Sequence, residues 1–559
     1  MKSLSPLVVR YALAARLGAA LPVALLASSA LVVGCADEKD PATWVKRLDD
    51  PAQRTAAVKR LSLFHEDAMT TAKGNKEDPK VKAIDDVIIV PLVKTYEKGG
   101  LDEKSRKDLA KALADFRDER TAPFFQKAFK EWEPNKSDED VKYAAQSLAQ
   151  LLKDGKVKDP VVLDALWDCF AKFRISQTKL SEAYKALEDA VRSAKSPSFA
   201  RKAIAKIETP YDDKAKSDCY FWQLVSIRVL ADLKEPSAAK ALVGVLLDPA
   251  KGELRGPAVN ALRGIPKEAD TALIAALNGT DEAAAAAIAK SPDKVAYTFI
   301  ADALGNVGTA AGRDAVVASF AKIDNDAALA GMALSLVNFP SDPKAETAFL
   351  DVYKKIGDET LLQTQAAKGT LMNVSANLYD VKIVDWAIKE GTTTKASEGT
   401  AEAIKGNATN TILRLFDDSQ KKAAEDAVNK LGLPADKAKF ATAAKLVDSC
   451  KSDAACYAKV LDEPIVGAPD QKFRFVKATY MAAALGNDAT RATLGGKLET
   501  VKDDAIRIAL ALAIDHLAPK GDAQIANTMD KIVQANVKSP APSDDTLVKI
   551  AAKLRARAL

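Results

Sequence analysis

Apolar and polar positions follow a repeating pattern between about residues 221 and 340 of this chain. The repeated unit is an apolar helix ending in leucine, a polar turn rich in Gly, Asp, Asn or Pro, and a second apolar helix. Successive first helices end in turn at Leu230, Leu262, Leu304 and Leu336. These leucines are roughly 32 to 42 residues apart, a spacing in the range of helical-pair repeats. One helix pair cannot bury its apolar face alone, so the pattern predicts that neighbouring pairs stack.

Other signals along the chain mark helix starts and breaks. Asp40, Asp50 and Asp159 each precede a proline, which predicts an N-capping carboxylate followed by Pro at the first helical position. Gly391–Gly399 reads G-T-T-T-K-A-S-E-G and predicts a flexible, low-complexity loop. The chain is therefore expected to be helical on both sides of the repeated stretch.

Two segments carry a family resemblance. Leu254–Ile265 reads L-R-G-P-A-V-N-A-L-R-G-I, and Ile506–Ile514 reads I-R-I-A-L-A-L-A-I. These segments resemble the first helix of HEAT repeats, especially the short bacterial type. The resemblance implies an all-α fold, an α-solenoid of stacked antiparallel helix pairs. The predicted solenoid covers residues 44–559, with its clearest repeats at 221–340 and 473–535 and a less regular part at 360–439.

Composition and charge narrow the choice of partners. The chain has 559 residues, 81 Lys and Arg against 76 Asp and Glu, and only 6% aromatic residues. Its net charge of +5 includes three cations that precede the first acid, Asp37, so the rest carries 5 − 3 = +2. Such a balance gives no general attraction to nucleic acid, and none is predicted as a partner.

The N-terminal segment has the composition of an export signal. Lys2, Arg10 and Arg16 precede an apolar run over residues 17–33, which ends in small residues. A positive region, a short apolar stretch and a small-residue end are typical of a signal peptide. The signal peptide is predicted to cover residues 1–34.

Leu31–Cys35 reads L-V-V-G-C and resembles the lipobox of bacterial lipoproteins. The resemblance implies that Cys35 is lipidated and becomes the mature N-terminus, with residues 35–43 as a short tether to the membrane. Ala36 rather than Asp follows the cysteine, which implies a location in the outer membrane, facing the periplasm or the surface. The alternative is an ordinary signal peptide with a chance cysteine.

Four further cysteines fit an exported protein, since an even number suggests two disulfides among three connectivities. Cys450 and Cys456 flank a short helix–turn–helix corner, so we predict a bridge between them. Cys169 and Cys219 are then left as a possible second pair. Metal binding is not predicted, because the chain has no C-x-x-C motif and only two histidines.

Catalytic motifs are sparse. His65 and His516 each lie near a predicted helix end, and Asp515 adjoins His516 in sequence, which does not establish that the two side chains face each other. No nucleophile elbow, phosphate-binding glycine loop or H-E-x-x-H motif occurs, so no catalytic residue and no cofactor is predicted. Hydrolysis by paired carboxylates stays open.

Three aromatic clusters are the candidates for a protein interface, because aromatic anchors carry much of the energy in such interfaces. The alternative is that they fill the core between helix layers. The candidate residues are Phe124, Phe125, Trp132, Tyr220, Phe221, Trp222, Phe473, Phe475 and Tyr480.

The leading hypothesis is a non-enzymatic scaffold, a lipoprotein that presents its concave face to a protein partner in the bacterial envelope. One alternative is a HEAT-like enzyme or enzyme subunit of the lyase type. Another is a protein that binds a small ligand or lipid in a groove. A HEAT resemblance implies the fold and does not distinguish these functions.

Overall fold

The computed structural model describes residues 37–464 and 469–558. The described chain forms two compact units, with the division between Thr95 and Tyr96 inside one long helix. Unit 1 and unit 2 are considered separately below.

Unit 1 is built from α1 (Pro41–Arg47), α2 (Arg54–Thr71) and most of α3 (Pro79–Lys98). Asp40 caps α1 as predicted, because its carboxylate accepts a hydrogen bond from the backbone N–H of Ala42. The prediction for Asp50 is wrong. Its carboxylate accepts from the N–H of Ala52 within a turn, and α2 begins only at Arg54.

Unit 2 is almost entirely helical, and its first half contains thirteen α-helices within the described range. They are α4 (Glu103–Phe116), α5 (Ala122–Lys130), α6 (Asp138–Lys153), α7 (Pro160–Lys172), α8 (Ser181–Ser193), α9 (Ser198–Glu208), α10 (Lys216–Leu233), α11 (Ala239–Leu247), α12 (Arg255–Arg263), α13 (Pro266–Asn278), α14 (Glu282–Ala289), α15 (Val295–Val307) and α16 (Ala310–Ser319).

The second half of unit 2 continues in the same way, with one two-residue hairpin of β1 (Leu361–Leu362) and β2 (Gln365–Ala366). Its helices are α17 (Asp326–Ala333), α18 (Pro343–Lys355), α19 (Ala367–Val374), α20 (Ile383–Thr393), α21 (Glu398–Leu415), α22 (Lys421–Leu431), α23 (Pro434–Cys450), α24 (Ala454–Lys459), α25 (Pro469–Ala484), α26 (Asp488–Lys497), α27 (Asp504–His516), α28 (Ala523–Ala535) and α29 (Asp544–Ala558).

Short 3-10 turns extend or join these helices. They span Glu119–Thr121, Ile175–Gln177, Asp213–Ala215, Pro236–Ala238, Pro249–Leu254, Pro292–Lys294, Phe320–Lys322, Leu334–Asn338, Ser375–Leu378 and Val460–Asp462.

The helices of unit 2 stack in two rows. In the inner row each helix contacts the next, in the order α4, α6, α8, α10, α12, α15, α17, α19, α21, α25, α27 and α29. The outer row packs against it and consists mainly of α5, α7, α9, α11, α13, α16, α18, α20, α22, α24, α26 and α28. This arrangement is an all-α solenoid of stacked helix pairs, as the HEAT-like resemblance implied. That residues 44–559 form one such solenoid stays a prediction.

The sequence signals for helix ends and core explain this stacking. Leu230, Leu262, Leu304 and Leu336 are all almost completely buried between the helices of successive repeats. Gly279 ends α13 in the left-handed conformation, with φ +76°, which only glycine adopts without strain. Asp159 caps α7 as predicted.

The predicted loop at Gly391–Gly399 is mostly helical. α20 continues to Thr393 and α21 begins at Glu398, so only four residues separate the two helices. Gly391 packs in the core, where an added Cβ would come within 2.9 Å of the Ala408 and Leu431 side chains. The glycine is therefore there for close helix packing, which low sequence complexity does not reveal.

The inner row of unit 2 turns back on itself. α29, the last helix, contacts α12 and α15, more than 200 residues earlier in the chain. Lys553 on α29 donates a hydrogen bond to the backbone carbonyl of Asn338, across that distance. α29 therefore lies against the inner row beside α12 and α15 and covers part of the expected concave face in this described part of the molecule.

Candidate functional site

The predicted lipidation site lies outside the described residues. Cys35 and the whole predicted signal peptide precede residue 37, so the lipoprotein anchor stays a prediction. Among residues 37–464 and 469–558, no helix combines the length and the apolar character that crossing a bilayer requires.

The predicted bridge between Cys450 and Cys456 is present. It joins the last residue of α23 to α24, with the two Cα atoms 5.3 Å apart. The bridge therefore closes the helix–turn–helix corner that the sequence indicated.

The possible bridge between Cys169 and Cys219 is not formed, and both thiols are free and buried. Their helices do meet, since the rings of Phe170 on α7 and Phe221 on α10 lie 5.7 Å apart. Successive helical residues point about 100° apart, so the two cysteines next to this contact face other directions. Burial raises the pKa of the Cys169 thiol to about 12, which makes it unreactive at neutral pH.

Most of the aromatic candidates are core residues, so the prediction that they form exposed anchors is wrong for these. A helix row packed on both sides has to bury its large side chains, and the sequence pattern does not separate this role from an interface. The buried residues are Phe124, Phe125, Phe221, Trp222, Phe475 and Tyr480.

The other three aromatic candidates, Trp132, Tyr220 and Phe473, are half-buried. The Trp132 ring stacks on Phe173 with 4.6 Å between ring centres, and its Nε1 donates to the Asp138 carboxylate at 2.9 Å. Trp132 is therefore held between its own repeat and the next one along the chain. These three residues lie in different repeats, far apart along the chain, so they do not form one surface.

His65 belongs to unit 1. Its Nδ1 lies 2.7 Å from the Asp85 carboxylate, and both side chains are buried where α2 packs on α3. This contact joins α2 to α3, so His65 has a structural role in unit 1.

Asp515 and His516 lie at the end of α27, on opposite sides of a buried polar region inside unit 2. The Asp515 carboxylate accepts hydrogen bonds from Lys553 and Arg557 on α29. Arg557 also donates to the backbone carbonyls of Asp515 at 3.0 Å and Ala518 at 2.7 Å. Asp515 thus pairs with α29 and does not orient the neighbouring histidine.

The His516 ring packs on Tyr379, with 4.6 Å between ring centres, and Tyr379 stacks on Tyr480 at 5.0 Å. Burial lowers the pKa of His516 to about 4, which keeps the ring neutral at pH 7. This histidine lines an open cleft of about 820 Å³, together with Glu346, Asp380 and Asp488; we call it the Glu346 cleft.

Glu346 has a strongly altered pKa in this cleft. Burial, and then the adjacent Asp380 carboxylate, raise its pKa to about 8. A carboxyl group whose pKa is raised beside a second carboxyl group resembles the acid–base pairs of some hydrolases. This pairing could not be predicted from the sequence, because the residues are 34 positions apart (380 − 346) in different repeats.

Glu346→Gln is expected to stabilise the protein in a pH-dependent way. Glu346 stays protonated in the native state up to about pH 8, whereas an unfolded glutamate ionises near its ordinary pKa of 4.5. Native stability should therefore fall as pH rises through that window. The variant should gain about 1–2 kcal/mol above pH 8 and almost nothing below pH 4.5.

Thermal unfolding of the variant and of wild type, above pH 8 and below pH 4.5, measures this difference in stability. Glu425→Gln, at an exposed position in α22, serves as the control and should change little at either pH. An equal change in melting temperature at both pH values would contradict the raised pKa of Glu346.

An apolar groove lies between α11, α14 and α15, and we call it the Phe299 groove. Its volume is about 860 Å³, and Ala241, Gly244, Ala283, Ala286, Val295 and Phe299 are among its lining residues. Val295 is 39% exposed, a large fraction for a side chain in a groove wall. Arg255 lies over the Phe299 ring, with its guanidinium carbon 3.7 Å from the ring centre.

The groove exists because α14 carries mostly small side chains. It contains five consecutive alanines, Ala283–Ala287, and only Ala284 and Ile288 are buried. Elsewhere the repeats place leucines between helices, so the missing volume at α14 leaves a gap. The alanine run is the sequence signal for this groove, and none of the three aromatic clusters contributes to the groove lining.

No group of three or more side chains that could hold a metal ion occurs within the described parts of the chain. Possible ligands such as Asp515 and His516 face different neighbours, as described above.

Comparisons with known proteins give only a loose structural likeness. No family model matches the sequence, and no curated protein matches it. The crystal structure of the karyopherin Kap121p bound to the SUMO protease Ulp1p is 14% identical, with a TM-score of 0.24, and the match covers 92% of this chain and 66% of that one. A second crystal structure of Kap121p is 11% identical, with a TM-score of 0.28, covering 93% of this chain and 75% of that one.

Proposed function

We propose that this protein is a membrane-anchored, non-enzymatic scaffold that binds a protein partner in the bacterial cell envelope. The lipobox at Leu31–Cys35 supports the anchor, and the resemblance of the N-terminus to a signal peptide supports export. The tether from Cys35 to the start of α1 at Pro41 would reach roughly 20 Å when extended, which keeps the folded part close to the membrane.

The observation that carries the partner-binding role is the Phe299 groove. Gly244, Ala283 and Ala286 are exposed along it, and such small side chains permit close approach of another backbone. Exposed apolar surface in a concave groove is typical of sites that receive the apolar face of a partner helix.

Crosslinking in cells, followed by detergent pull-down of the tagged protein and mass spectrometry, tests the proposal. Val295→Glu introduces a charge into the groove and should reduce recovery of the partner about tenfold or more. Val161→Glu is the matched control, because Val161 is also exposed but lies on α7, away from the groove. Equal recovery with both variants would contradict binding through the groove.

The anchor is tested separately with Cys35→Ala. We expect this variant to leave the membrane fraction, because acylation of that thiol is the proposed attachment. Continued association with membranes after a carbonate wash would contradict the lipoprotein proposal. Loss of the partner from the unanchored variant would show that tethering is needed for assembly.

Acid–base catalysis is a second candidate function, favoured by the raised pKa of Glu346 beside Asp380. A panel of hydrolase and lyase substrates would test it with wild-type protein, Glu346→Gln and the control Glu425→Gln. An activity lost only in Glu346→Gln would support catalysis.

A lipid that co-purifies with wild type and is absent from Val295→Glu would instead favour the ligand-binding alternative.

A further inference from the structure

A second cleft lies inside unit 2, where α29 meets the ends of α10 and α12. Its volume is about 1110 Å³, and its lining includes Arg192, Lys234, Arg263, Lys549 and Arg555. We call it the Arg263 cleft. It shares no lining residue with the Phe299 groove.

The Arg263 cleft carries an excess of positive charge. Five cations and two acids, Asp232 and Asp545, line it, so the balance is 5 − 2 = +3. Two of the cations already have carboxylate partners. Arg192 pairs with Asp232 at 2.7 Å, and Arg555 pairs with Asp530.

Arg263 and Lys549 have no carboxylate within 4.0 Å in the part of the chain that the structure describes. Arg263 donates one hydrogen bond to the Asn260 side chain, and its buried Nε has no partner among the described residues. Lys549 lies 3.5 Å from the Asn338 amide oxygen. Buried polar N–H groups are almost always hydrogen-bonded, so the unpaired Nε shows that the Arg263 guanidinium is incompletely satisfied by the described residues around it.

The electrostatics of the two groups agree with this geometry. Burial lowers the pKa of Arg263 and the pKa of Lys549, and each positive charge is held inside the solenoid at a cost. Asp302 is the nearest opposing charge for both, and burial raises the pKa of that carboxyl group. Asp545 also opposes the charge of Arg263, and Asp515 that of Lys549, but neither cation forms a close ion pair with any of these carboxyl groups.

We propose that the Arg263 cleft binds a phosphate group or a similar multiply charged oxyanion, held by Arg263 and Lys549. Planar guanidinium groups match the oxygens of phosphate, and a neighbouring ammonium adds charge without a geometric constraint. Lys234, exposed at the left-handed end of α10, gives the ligand a third cation at the mouth of the cleft.

The phosphate group belongs either to a free small molecule or to a lipid headgroup. Full-length protein is titrated with pyrophosphate by calorimetry, at constant ionic strength, and with vesicles of phosphatidylglycerol against phosphatidylcholine. Saturable pyrophosphate binding supports a soluble ligand, and binding only to the anionic vesicles supports a headgroup.

Arg263→Gln and Lys549→Gln should each weaken binding to pyrophosphate or to the anionic vesicles, whichever wild type binds, by about tenfold or more. Both variants should keep most of the thermal stability of the free protein, because neither side chain forms a close ion pair and each cation is buried at a cost. Lys240→Gln is the matched control on the rim of the Phe299 groove and should bind as wild type does.

Absence of saturable binding to both probes up to about 10 mM would overturn the proposal, as would unchanged binding in Arg263→Gln and Lys549→Gln. The result is independent of the scaffold proposal. Val295→Glu should lose the protein partner and still bind pyrophosphate, so failure of one proposal does not imply failure of the other.

Discussion

Asp515→Asn is expected to lower the free energy of unfolding of unit 2 by about 3–5 kcal/mol. The Asp515 carboxylate is the shared partner of Lys553 and Arg557, whose side chains are 0% and 3% exposed. Asparagine keeps the shape and removes the charge, so two buried cations lose their counter-charge. Burial already lowers the pKa of Lys553 to about 8, and Lys553 should lose its proton more readily in the variant.

Urea unfolding followed by circular dichroism measures this loss. Asp530→Asn is the matched control, since it breaks another ion pair of α29, with Arg555, whose side chain is 38% exposed. That pair should contribute less than about 1 kcal/mol. The double variant Asp515→Asn/Lys553→Met should recover part of the lost stability, and similar losses in the two single variants would contradict the buried network.

Gly521→Ala is expected to cost about 3–5 kcal/mol and to displace the end of α29. Gly521 has φ +72°, and an added Cβ would lie 2.2 Å from the Leu554 carbonyl oxygen and 2.5 Å from the Ala558 nitrogen. Both are backbone atoms of α29, so the clash cannot be relieved by a side-chain rotation. Limited proteolysis should then cut the C-terminal residues faster than in wild type.

Gly279→Ala separates the two causes of this effect. Gly279 has a similar φ of +76°, but no atom lies within 4 Å of an added Cβ. This variant should cost only about 1 kcal/mol, from backbone strain alone. Similar losses in both variants would show that the packing of Gly521 against α29 contributes nothing.

Local physics made the repeats predictable from sequence. The position of leucines such as Leu262 and Leu304 depends on helical periodicity within one repeat, and Asp40 and Asp159 cap helices through residues two positions away. The Cys450–Cys456 bridge also closes a local corner. Each of these features is encoded within a short window of sequence.

The candidate sites could not be predicted from sequence, because they depend on contacts between residues of different repeats. The basic residues of α29 suit a solvated helix face in the sequence, yet Lys553 and Arg557 are buried against Asp515, about 40 residues earlier. Glu346 and Asp380 come together in the same way, as do Arg263 and Lys549. Periodicity shows that a side chain lies on a given face of its helix, but it does not show which helix is packed there.

The return of α29 to the middle of the solenoid also affects the order of folding. A linear repeat array can fold pair by pair as the chain is synthesised, because each repeat contacts only its neighbours. Here the interior beside Asn338 is completed by Lys553, which is made 215 residues later. The middle repeats therefore keep an unfilled, polar-lined interior until Asp544–Ala558 has been synthesised, and a nascent chain stopped before α29 would remain a substrate for chaperones and proteases.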